Sequence, residues 1–326
     1  MRIVANTPGA LDRRTRAEDP AFREAVAAIV QRIREGGWNA LVAESESIDR
    51  APPRLVEVAP FAAQARASWP AATLAAVELA HANVTRFHDG TRPRDAMVET
   101  MPGLTVSKQW RAIDRVGLYV PGGNAPLFST LLMLAIPARA AGVREIVVVT
   151  PPRPDGTLDP AIALAAELCG INAIWTVGGA QAIAALAFGA GDIAPVAKIG
   201  GPGNAWVAAA KALVASTPDG PAIDLPAGPS ELLVIADASA DPATVAADLL
   251  SQAEHDPSAQ VILVTPDPAL IDSIEAELDR QSRTMNTDFA PARAILVRDL
   301  DQAVAIANAY APEHLSLATD QYEAPI

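Results

Sequence analysis

Short apolar segments that alternate with helix-like stretches limit the fold of this chain more than any other feature. Such an apolar run, followed by an amphipathic stretch, is typical of a buried strand and its crossover helix. The apolar runs lie at 116–120, 145–150, 173–177, 196–199, 231–236, 260–265 and 294–297. The alternation predicts βαβ units with parallel sheets. Because the runs fall into two series, we expect two α/β lobes with a cleft between them.

Residues 1 to about 110 have a different pattern and are predicted to be mainly helical. A periodic apolar stretch begins at Asp19 and Pro20 and is closed by the C-cap signal Gly36-Gly37. A second helix is predicted over 72–87. Further helices are predicted at about 242–255, 267–281 and 300–310.

The composition excludes several classes of protein. A formal net charge of −13 over 326 residues disfavours nucleic-acid binding, because an acidic surface repels phosphate backbones. The single cysteine, Cys169, allows no internal disulfide and suits a reducing compartment. The N-terminal segment lacks an apolar signal core. The apolar stretch 127–141 carries Pro137 and Arg139 and is too short to span a bilayer. We therefore expect a cytoplasmic protein without a membrane segment.

Three glycine-rich turns, at 119–124, 177–181 and 200–204, follow predicted strands and lead into helix-like segments. Glycine lets the backbone approach a ligand closely, and a helix N-terminus offers free N–H groups to a phosphate. The turns therefore indicate a nucleotide-type ligand, although tight βα turns also use glycine for geometry alone. The G-x-G-x-x-G fingerprint is absent, since Trp206 stands where a third glycine would follow Gly201.

Two of the four histidines directly follow a glutamate. Gln252 precedes His255 by three residues, so a helix would place both on one face, where they could hold a metal ion. Glutamine is an uncommon zinc ligand, and a solvated helix face is the alternative interpretation. Glu313 and His314 follow a helix-like run and could form an acid/base dyad that faces a cleft.

The other polar candidates have simpler explanations. His81 and His88 lie on or near a predicted helix without neighbouring ligands, which favours packing or surface roles. Cys169, at a predicted helix end, is interpreted as a small buried residue rather than a nucleophile. The loop 224–231 is stiffened by two prolines, so Ser230 could face a ligand, or the loop could be only a structural crossover.

Taken together, these segments resemble the histidinol dehydrogenase family. The resemblance spans nearly the whole chain from about residue 20, and the motifs follow the family's order. The matching segments are 116–123, 177–189, 201–205, 224–231, 251–256 and 311–317. The resemblance implies a zinc-dependent, NAD-linked oxidation of L-histidinol to L-histidine through histidinal, at the end of histidine biosynthesis. It also implies an α/β fold with two incomplete Rossmann-like domains, mainly parallel sheets and a helical N-terminal region.

The resemblance further implies where the cofactor binds and how the chain is divided. In the implied arrangement, an NAD-binding α/β lobe at 119–231 is inserted into a first lobe formed by 1–118 and 232–326. The family is a homodimer with an intertwined C-terminal part. The residues that match its NAD-contacting positions are Tyr119, Gln181 and Asn204.

The residues implied for substrate, metal and chemistry lie in the second half of the chain. Ser230 matches a substrate-binding position, and Gln252 and His255 match two zinc ligands that also touch the substrate. Glu313 and His314 match the acid/base pair, with His314 also in contact with substrate. The resemblance implies that His314 accepts the alcohol proton. Glu313 would then activate the water that attacks the aldehyde.

The chain departs from the family near its end. Family members continue beyond the Pro-Glu-His-Leu motif with a segment that completes the zinc site and contacts the substrate, whereas this sequence ends at Ile326. Asp320 lies too close to His314 to match the missing aspartate ligand. Two protein ligands hold zinc poorly compared with the usual three or four. We therefore expect weak or absent zinc and low activity for this chain alone, as for a fragment, a frameshifted product or a decayed copy.

Two other functions fit the same residues. A related dehydrogenase of another polar alcohol, such as a sulfonated diol, would keep the NAD and zinc positions and change the substrate contacts. A non-catalytic NAD-binding fragment would keep the glycine turns beside an incomplete zinc site. An aldehyde dehydrogenase with a cysteine nucleophile is disfavoured, since Cys169 has no adjacent histidine or lysine to lower its pKa.

Overall fold

The computed structural model describes residues 2–4, 20–122, 127–224, 230–254, 259–283 and 289–320. The chain divides into two compact units, which we call the larger unit (Ala17–Ala227) and the smaller unit (Met1–Arg16 with Gly228–Ile326). Each unit contains a mainly parallel sheet that is covered by helices. The predicted α/β fold with two incomplete Rossmann-like domains is thereby confirmed.

The larger unit is built on a six-stranded sheet with the order β2-β7-β6-β5-β8-β9. Its described helices are α1 (Pro20–Ile48), α2 (Ala59–Ser68), α3 (Ala71–Gly90), α4 (Phe128–Ala140), α5 (Pro160–Leu168), α6 (Gly179–Phe188) and α7 (Ala205–Ala215). Its described strands are β2 (Arg54–Glu57), β3 (Ala96–Met101), β4 (Leu104–Lys108), β5 (Arg115–Tyr119), β6 (Glu145–Thr150), β7 (Ala173–Thr176), β8 (Lys198–Gly200) and β9 (Ala222–Ile223). The strand order reverses between β5 and β8, and open α/β sheets bind their ligands at such a switch point.

Helices cover both faces of this sheet. Ile33 of α1, Leu186 of α6 and Ile199 of β8 share one buried apolar cluster. Leu131 of α4 and Ile162 of α5 belong to a second cluster that also includes residues of the sheet. Because helices bury the sheet from both sides, its central strands β5 and β6 read as mainly apolar runs without a polar alternation.

The helical N-terminal region predicted from the sequence is present, but it belongs to the larger unit. β2 pairs in antiparallel fashion with β7, and α1 packs against α6. These contacts join residues 17–118 to the segment predicted as an inserted lobe, 119–231, so the first unit boundary lies at Ala17 rather than near residue 119. The periodicity of a helix shows that it has an apolar face but does not show which sheet that face covers.

The glycine pair predicted as a helix end is a kink inside α1. Gly37 has φ 54° and ψ −133°, and the helix resumes beyond it as far as Ile48. The helix predicted over 72–87 is α3, which extends to both sides of that range.

A β-hairpin that the sequence pattern did not predict projects from the larger unit. β3 and β4 pair in antiparallel fashion, and all of their residues are exposed. Met97, Met101 and Val106 are exposed to 76%, 58% and 53%. An isolated two-stranded hairpin is only marginally stable in water, and exposed apolar side chains mark an interaction surface.

The smaller unit has a five-stranded sheet with the order β1-β12-β11-β10-β13, in which all pairs are parallel. Its described strands are β1 (Arg2–Val4), β10 (Glu231–Ala236), β11 (Gln260–Thr265), β12 (Ala292–Leu296) and β13 (His314–Ala318). Its described helices are α8 (Pro242–Ala253), α9 (Pro268–Ser282) and α10 (Leu300–Tyr310). These three helices lie where the sequence predicts them, whereas β13 was not predicted. Across both units, no described helix combines the length and apolarity that a membrane crossing requires.

The end of α10 yields a prediction about stability. Ala311 adopts the left-handed region, with φ 50° and ψ 66°, which costs a residue with a Cβ atom about 1 kcal/mol and costs glycine little. We expect Ala311→Gly to raise the free energy of unfolding of the smaller unit by about 0.5–1 kcal/mol. The measurement is urea or thermal denaturation followed by circular dichroism.

A matched control lies one turn and a half earlier in the same helix. Ala305 is exposed within α10, so Ala305→Gly should lower the free energy of unfolding by about 1 kcal/mol. Loss of stability in both variants would show that the left-handed backbone at Ala311 carries no strain.

Candidate active site

The predicted acid/base dyad is held by the backbone of one residue of the neighbouring strand. His314 Nδ1 lies 3.2 Å from the carbonyl oxygen of Glu231, and Glu313 Oε2 accepts the backbone N–H of Glu231 at 3.3 Å. A carbonyl oxygen can only accept, so Nδ1 carries the imidazole proton in this contact. Nε2 of His314 is then left with a lone pair that can take a proton, as a general base requires.

Strand pairing brings these residues together. β13 runs parallel to β10, with His314 opposite Leu232, so the amino ends of both strands lie at one edge of the sheet. The chain reaches this edge through the left-handed turn at Ala311 that ends α10. Both side chains of the dyad are about half exposed, at 51% for Glu313 and 59% for His314. A small molecule at this edge can therefore reach them.

A side-chain hydrogen bond joins strand β13 to helix α8, which carries Gln252. Ser316 Oγ donates to Asp248 Oδ2 at 2.9 Å, which ties β13 to α8. His314 shares the strand face of Ser316, and Gln252 shares the helix face of Asp248. Because α8 connects the end of β10 to the start of β11, it runs antiparallel to the strands. Gln252 and His314 therefore lie at the same end of the α8–β13 pair.

The amino edge of the smaller sheet thus collects several predicted site residues. Ser230 directly precedes β10, and its carbonyl oxygen accepts the N–H of Gln260 at 2.9 Å. Ser230, Glu313, His314 and the end of α8 with Gln252 all lie at this edge, whereas His255 falls outside the described residues. Within the described ranges, no three His, Cys, Asp or Glu side chains are grouped closely enough to hold a metal ion.

Tyr119, a predicted cofactor residue, ends β5 beside the switch point of the larger unit. Its hydroxyl oxygen accepts the N–H of Gly179 at 3.2 Å, and its side chain is buried. Burial raises the pKa of Tyr119 to about 12, so the phenol stays neutral at physiological pH. The side chain links the end of β5 to the first residue of α6.

Gln181, another predicted cofactor residue, lies beneath a glycine turn. It is completely buried, and its Nε2 donates to Asp49 Oδ2 at 3.1 Å. The same carboxylate oxygen accepts the N–H of Gly178 at 3.0 Å. Burial raises the pKa of Asp49, and its two hydrogen bonds partly oppose that shift. Gln181 and Asp49 together support the turn at 178–179 from inside the protein.

Asn204, the third predicted cofactor residue, caps helix α7. Its Oδ1 accepts the N–H groups of Trp206 at 3.1 Å and Val207 at 3.2 Å. This is the usual role of asparagine at a helix N-cap. Asn204 is exposed, so its amide group remains accessible at the surface beside the switch point.

Sequence reasoning missed the buried polar residues behind these turns. Asp49 follows α1 without any local motif that points to a function. Lys211 was detectable in principle, because it is the only charged residue in the apolar helix α7. It forms an ion pair with Asp224, and the lysine side chain is almost fully buried.

Cys169 is a buried residue at the end of α5, as interpreted from the sequence. Burial raises the pKa of its thiol to about 11, although the nearby Arg139 opposes the shift. A thiol with such a pKa is protonated at neutral pH and is a poor nucleophile. The position therefore gives no support to cysteine-based aldehyde chemistry.

Comparisons with known proteins agree over almost the whole chain. A family model described as histidinol dehydrogenase matches residues 12–326. Histidinol dehydrogenase from Idiomarina loihiensis is 43% identical over 317 residues, which cover 95% of this chain and 72% of that protein. The enzyme from Xanthomonas axonopodis pv. citri is 48% identical over 304 residues, which cover 91% and 70%. The crystal structure of histidinol dehydrogenase from Elizabethkingia anophelis matches with a TM-score of 0.91 and 37% identity, covering 99% of this chain and 77% of that chain.

The single cysteine allows a direct test of the burial at Cys169. With a pKa of about 11, the thiolate fraction at pH 8 is about 0.1%. We expect iodoacetamide to modify the folded chain at pH 8 at least about 100-fold more slowly than the chain unfolded in guanidinium. Mass spectrometry of quenched samples measures both rates, and equal rates would contradict the buried position.

Proposed function

Because this chain belongs to the histidinol dehydrogenase family, a family of oxidoreductases, we propose that it oxidises L-histidinol to L-histidine through histidinal with NAD as hydride acceptor. The observation that carries the proposal is the dyad at the amino edge of the smaller sheet. The contact of His314 Nδ1 with the Glu231 carbonyl oxygen directs Nε2 away from the backbone. That nitrogen is the proposed proton acceptor.

In the first step, His314 takes the proton of the alcohol hydroxyl. The carbinol carbon loses a hydride as its oxygen loses the proton, which gives the aldehyde. Removal of the proton by a positioned base is worth about 10²–10⁴ in rate. The Glu231 carbonyl keeps the imidazole ring fixed and holds its second proton at Nδ1.

In the second step, Glu313 takes a proton from a water molecule that attacks the aldehyde carbon. The resulting hydrate loses a second hydride and becomes the carboxylic acid. Glu313 accepts the N–H of Glu231 through Oε2, and Nδ1 of His314 is 3.7 Å from the same oxygen. The other carboxylate oxygen of Glu313 is the proposed acceptor of the water proton.

We propose that NAD binds to the larger unit at the switch point between β5 and β8. The reversal of strand order supports this position, because Rossmann-like sheets bind dinucleotides outside the carboxyl ends of their strands. Tyr119, Gln181 and Asn204 are the proposed cofactor residues. Gln181 is completely buried, so its proposed part is to hold the turn at 178–179. Bound NAD supplies a nicotinamide that accepts the hydride of each step.

The substrate is proposed to contact Ser230, Gln252, His255 and His314 in the smaller unit. Gln252 and His255 are the proposed zinc ligands. Among the described residues, no three His, Cys, Asp or Glu side chains form a metal-binding group, and His255 lies outside those residues. An amide and an imidazole alone are fewer donors than zinc sites in proteins use.

A homodimer is proposed on the basis of the exposed hairpin. The apolar side chains of β3 and β4 are exposed in the single chain, and burial against a second copy would remove them from water. We propose a cytoplasmic location, which suits a biosynthetic oxidoreductase whose single thiol is buried.

The direct test is NADH formation by the purified chain with L-histidinol, NAD and added zinc, followed by absorbance. Steady formation of NADH with L-histidine as product supports the proposal. A chain that binds NAD but oxidises neither L-histidinol nor histidinal would overturn it. Oxidation of a sulfonated diol instead would identify a related dehydrogenase of another alcohol.

Glu313→Gln separates the two oxidation steps. The amide oxygen of glutamine can still accept the N–H of Glu231, so the fold is retained while the base is lost. We expect histidinal oxidation to fall by about 10²-fold or more and the first hydride transfer from L-histidinol to fall much less. Single-turnover measurements with each substrate give both rates. An equal loss of rate in the two steps would contradict this division of roles.

Zinc content tests the proposed pair of ligands, Gln252 and His255. We expect the isolated chain to retain much less than one equivalent of zinc after gel filtration, because two protein ligands bind the ion weakly. Elemental analysis by mass spectrometry gives the content, with His255→Ala as the comparison. Retention of a full equivalent by the unaltered chain would contradict the expectation.

A further inference from the structure

An ion pair between a buried lysine and a partly buried aspartate holds both backbone polar groups of one glycine in the larger unit. Lys211 Nζ donates to the carbonyl oxygen of Gly201 at 2.8 Å and also contacts Asp224 Oδ1. Asp224 Oδ2 in turn accepts the N–H of Gly201 at 2.6 Å. Lys211 is only 5% exposed, whereas the Asp224 side chain is 33% exposed. The pair therefore fixes the orientation of the whole peptide backbone at Gly201.

Gly201 occupies a place that no other residue could take. Its φ is +124°, and a Cβ atom there would lie 2.0 Å from the carbonyl oxygen of Tyr119. The residue before it, Gly200, pairs with Leu118 at the end of β5. The turn that begins at Gly201 therefore packs closely against the end of β5, at the point where the strand order reverses.

The ion pair has a high free-energy cost if its only role is to stabilise the fold. Removing a lysine from water has a large desolvation cost, and apolar replacements of buried ion pairs are often neutral or stabilising. Helix α7 is otherwise made of Ala, Val, Leu and Trp, which could fill the position. Lys211 also lies about two helical turns after Asn204, which places both residues on the same side of helix α7. The charged group of Lys211 therefore reaches the backbone of the turn that precedes this helix.

We propose that the Lys211–Asp224 ion pair is a positioning device that holds the turn 201–204 in the conformation that binds NAD. The inference rests on the proposed function, since it assigns this turn to the cofactor. Neither residue touches the reacting atoms. Both act through the backbone of Gly201 and through the placement of Asn204.

The test uses three variants of the full chain. Lys211→Met removes the charge and both hydrogen bonds but keeps the apolar stem. Lys211→Met combined with Asp224→Asn also removes the carboxylate that would be left without its partner, which protects against a simple loss of folding. Lys198→Met is the matched control, because Lys198 is exposed at the start of the neighbouring strand β8.

Four measurements are made on each variant. Titration calorimetry gives the Kd for NAD, and steady-state kinetics separate the KM for NAD from kcat and from the KM for L-histidinol. Hydrogen exchange by mass spectrometry reports on the amides of the turn 201–204 without any ligand. Melting temperatures show whether the variants are folded.

We expect the Kd and KM for NAD to rise about 10-fold or more in both Lys211 variants, because the lost charge-assisted hydrogen bonds release the turn. The KM for L-histidinol should change less than about 2-fold, since the substrate residues lie in the other unit. Amide exchange in the turn should accelerate in both variants. The Lys198→Met control should match the unaltered chain in every measurement.

The outcomes separate failure of the inference from failure of the proposed function. A folded double variant that binds NAD as tightly as the unaltered chain would overturn the inference, as would unchanged amide exchange in the turn. An unaltered chain that binds no NAD would overturn the assignment of the cofactor. The exchange measurement would in that case still decide whether the ion pair orders the turn.

Discussion

Parallel strand pairing is the constraint on which the rest of this structure depends. A parallel sheet needs a crossover after every strand, so its turns collect at two edges, one at the carboxyl ends and one at the amino ends. The larger unit carries its glycine turns at the carboxyl edge, beside the reversal between β5 and β8. The smaller unit carries Glu313 and His314 at the amino edge, beside the start of β10. Sheet topology therefore determines where each group of candidate residues lies.

The dyad shows how the backbone groups of one residue can orient two side chains. Glu313 directly precedes the strand β13, which begins at His314. Both side chains are tied to Glu231, one through its N–H and the other through its carbonyl oxygen. The backbone of one residue thus holds the two groups that are proposed to serve separate proton transfers. The Ser316–Asp248 hydrogen bond ties strand β13 to helix α8.

In the larger unit, buried polar groups form hydrogen bonds that hold the glycine turns in place. Asp49 holds the N–H of Gly178, and Lys211 with Asp224 holds both polar groups of Gly201. Tyr119 lies between these two supports, since its hydroxyl accepts from the 178–179 turn and its carbonyl oxygen adjoins Gly201. Buried polar groups of this kind destabilise the folded state when they are unpaired. A substitution of one partner therefore affects the conformation of the whole turn.

Much of the local structure could be read from the sequence, because apolar periodicity and helix caps act over a few residues. The alternating strands and helices, and the Glu-His pair at 313–314, follow from such short-range signals. The unit boundary at Ala17, the strand that begins at His314 and the burial of Gln181 do not. They depend on which distant segments pair and pack, and no local pattern specifies a partner that is remote in the sequence. The sequence alone determined the chemistry that is available, and the tertiary structure decided which groups are held in place to use it, because strand pairing and burial arise only when remote segments meet.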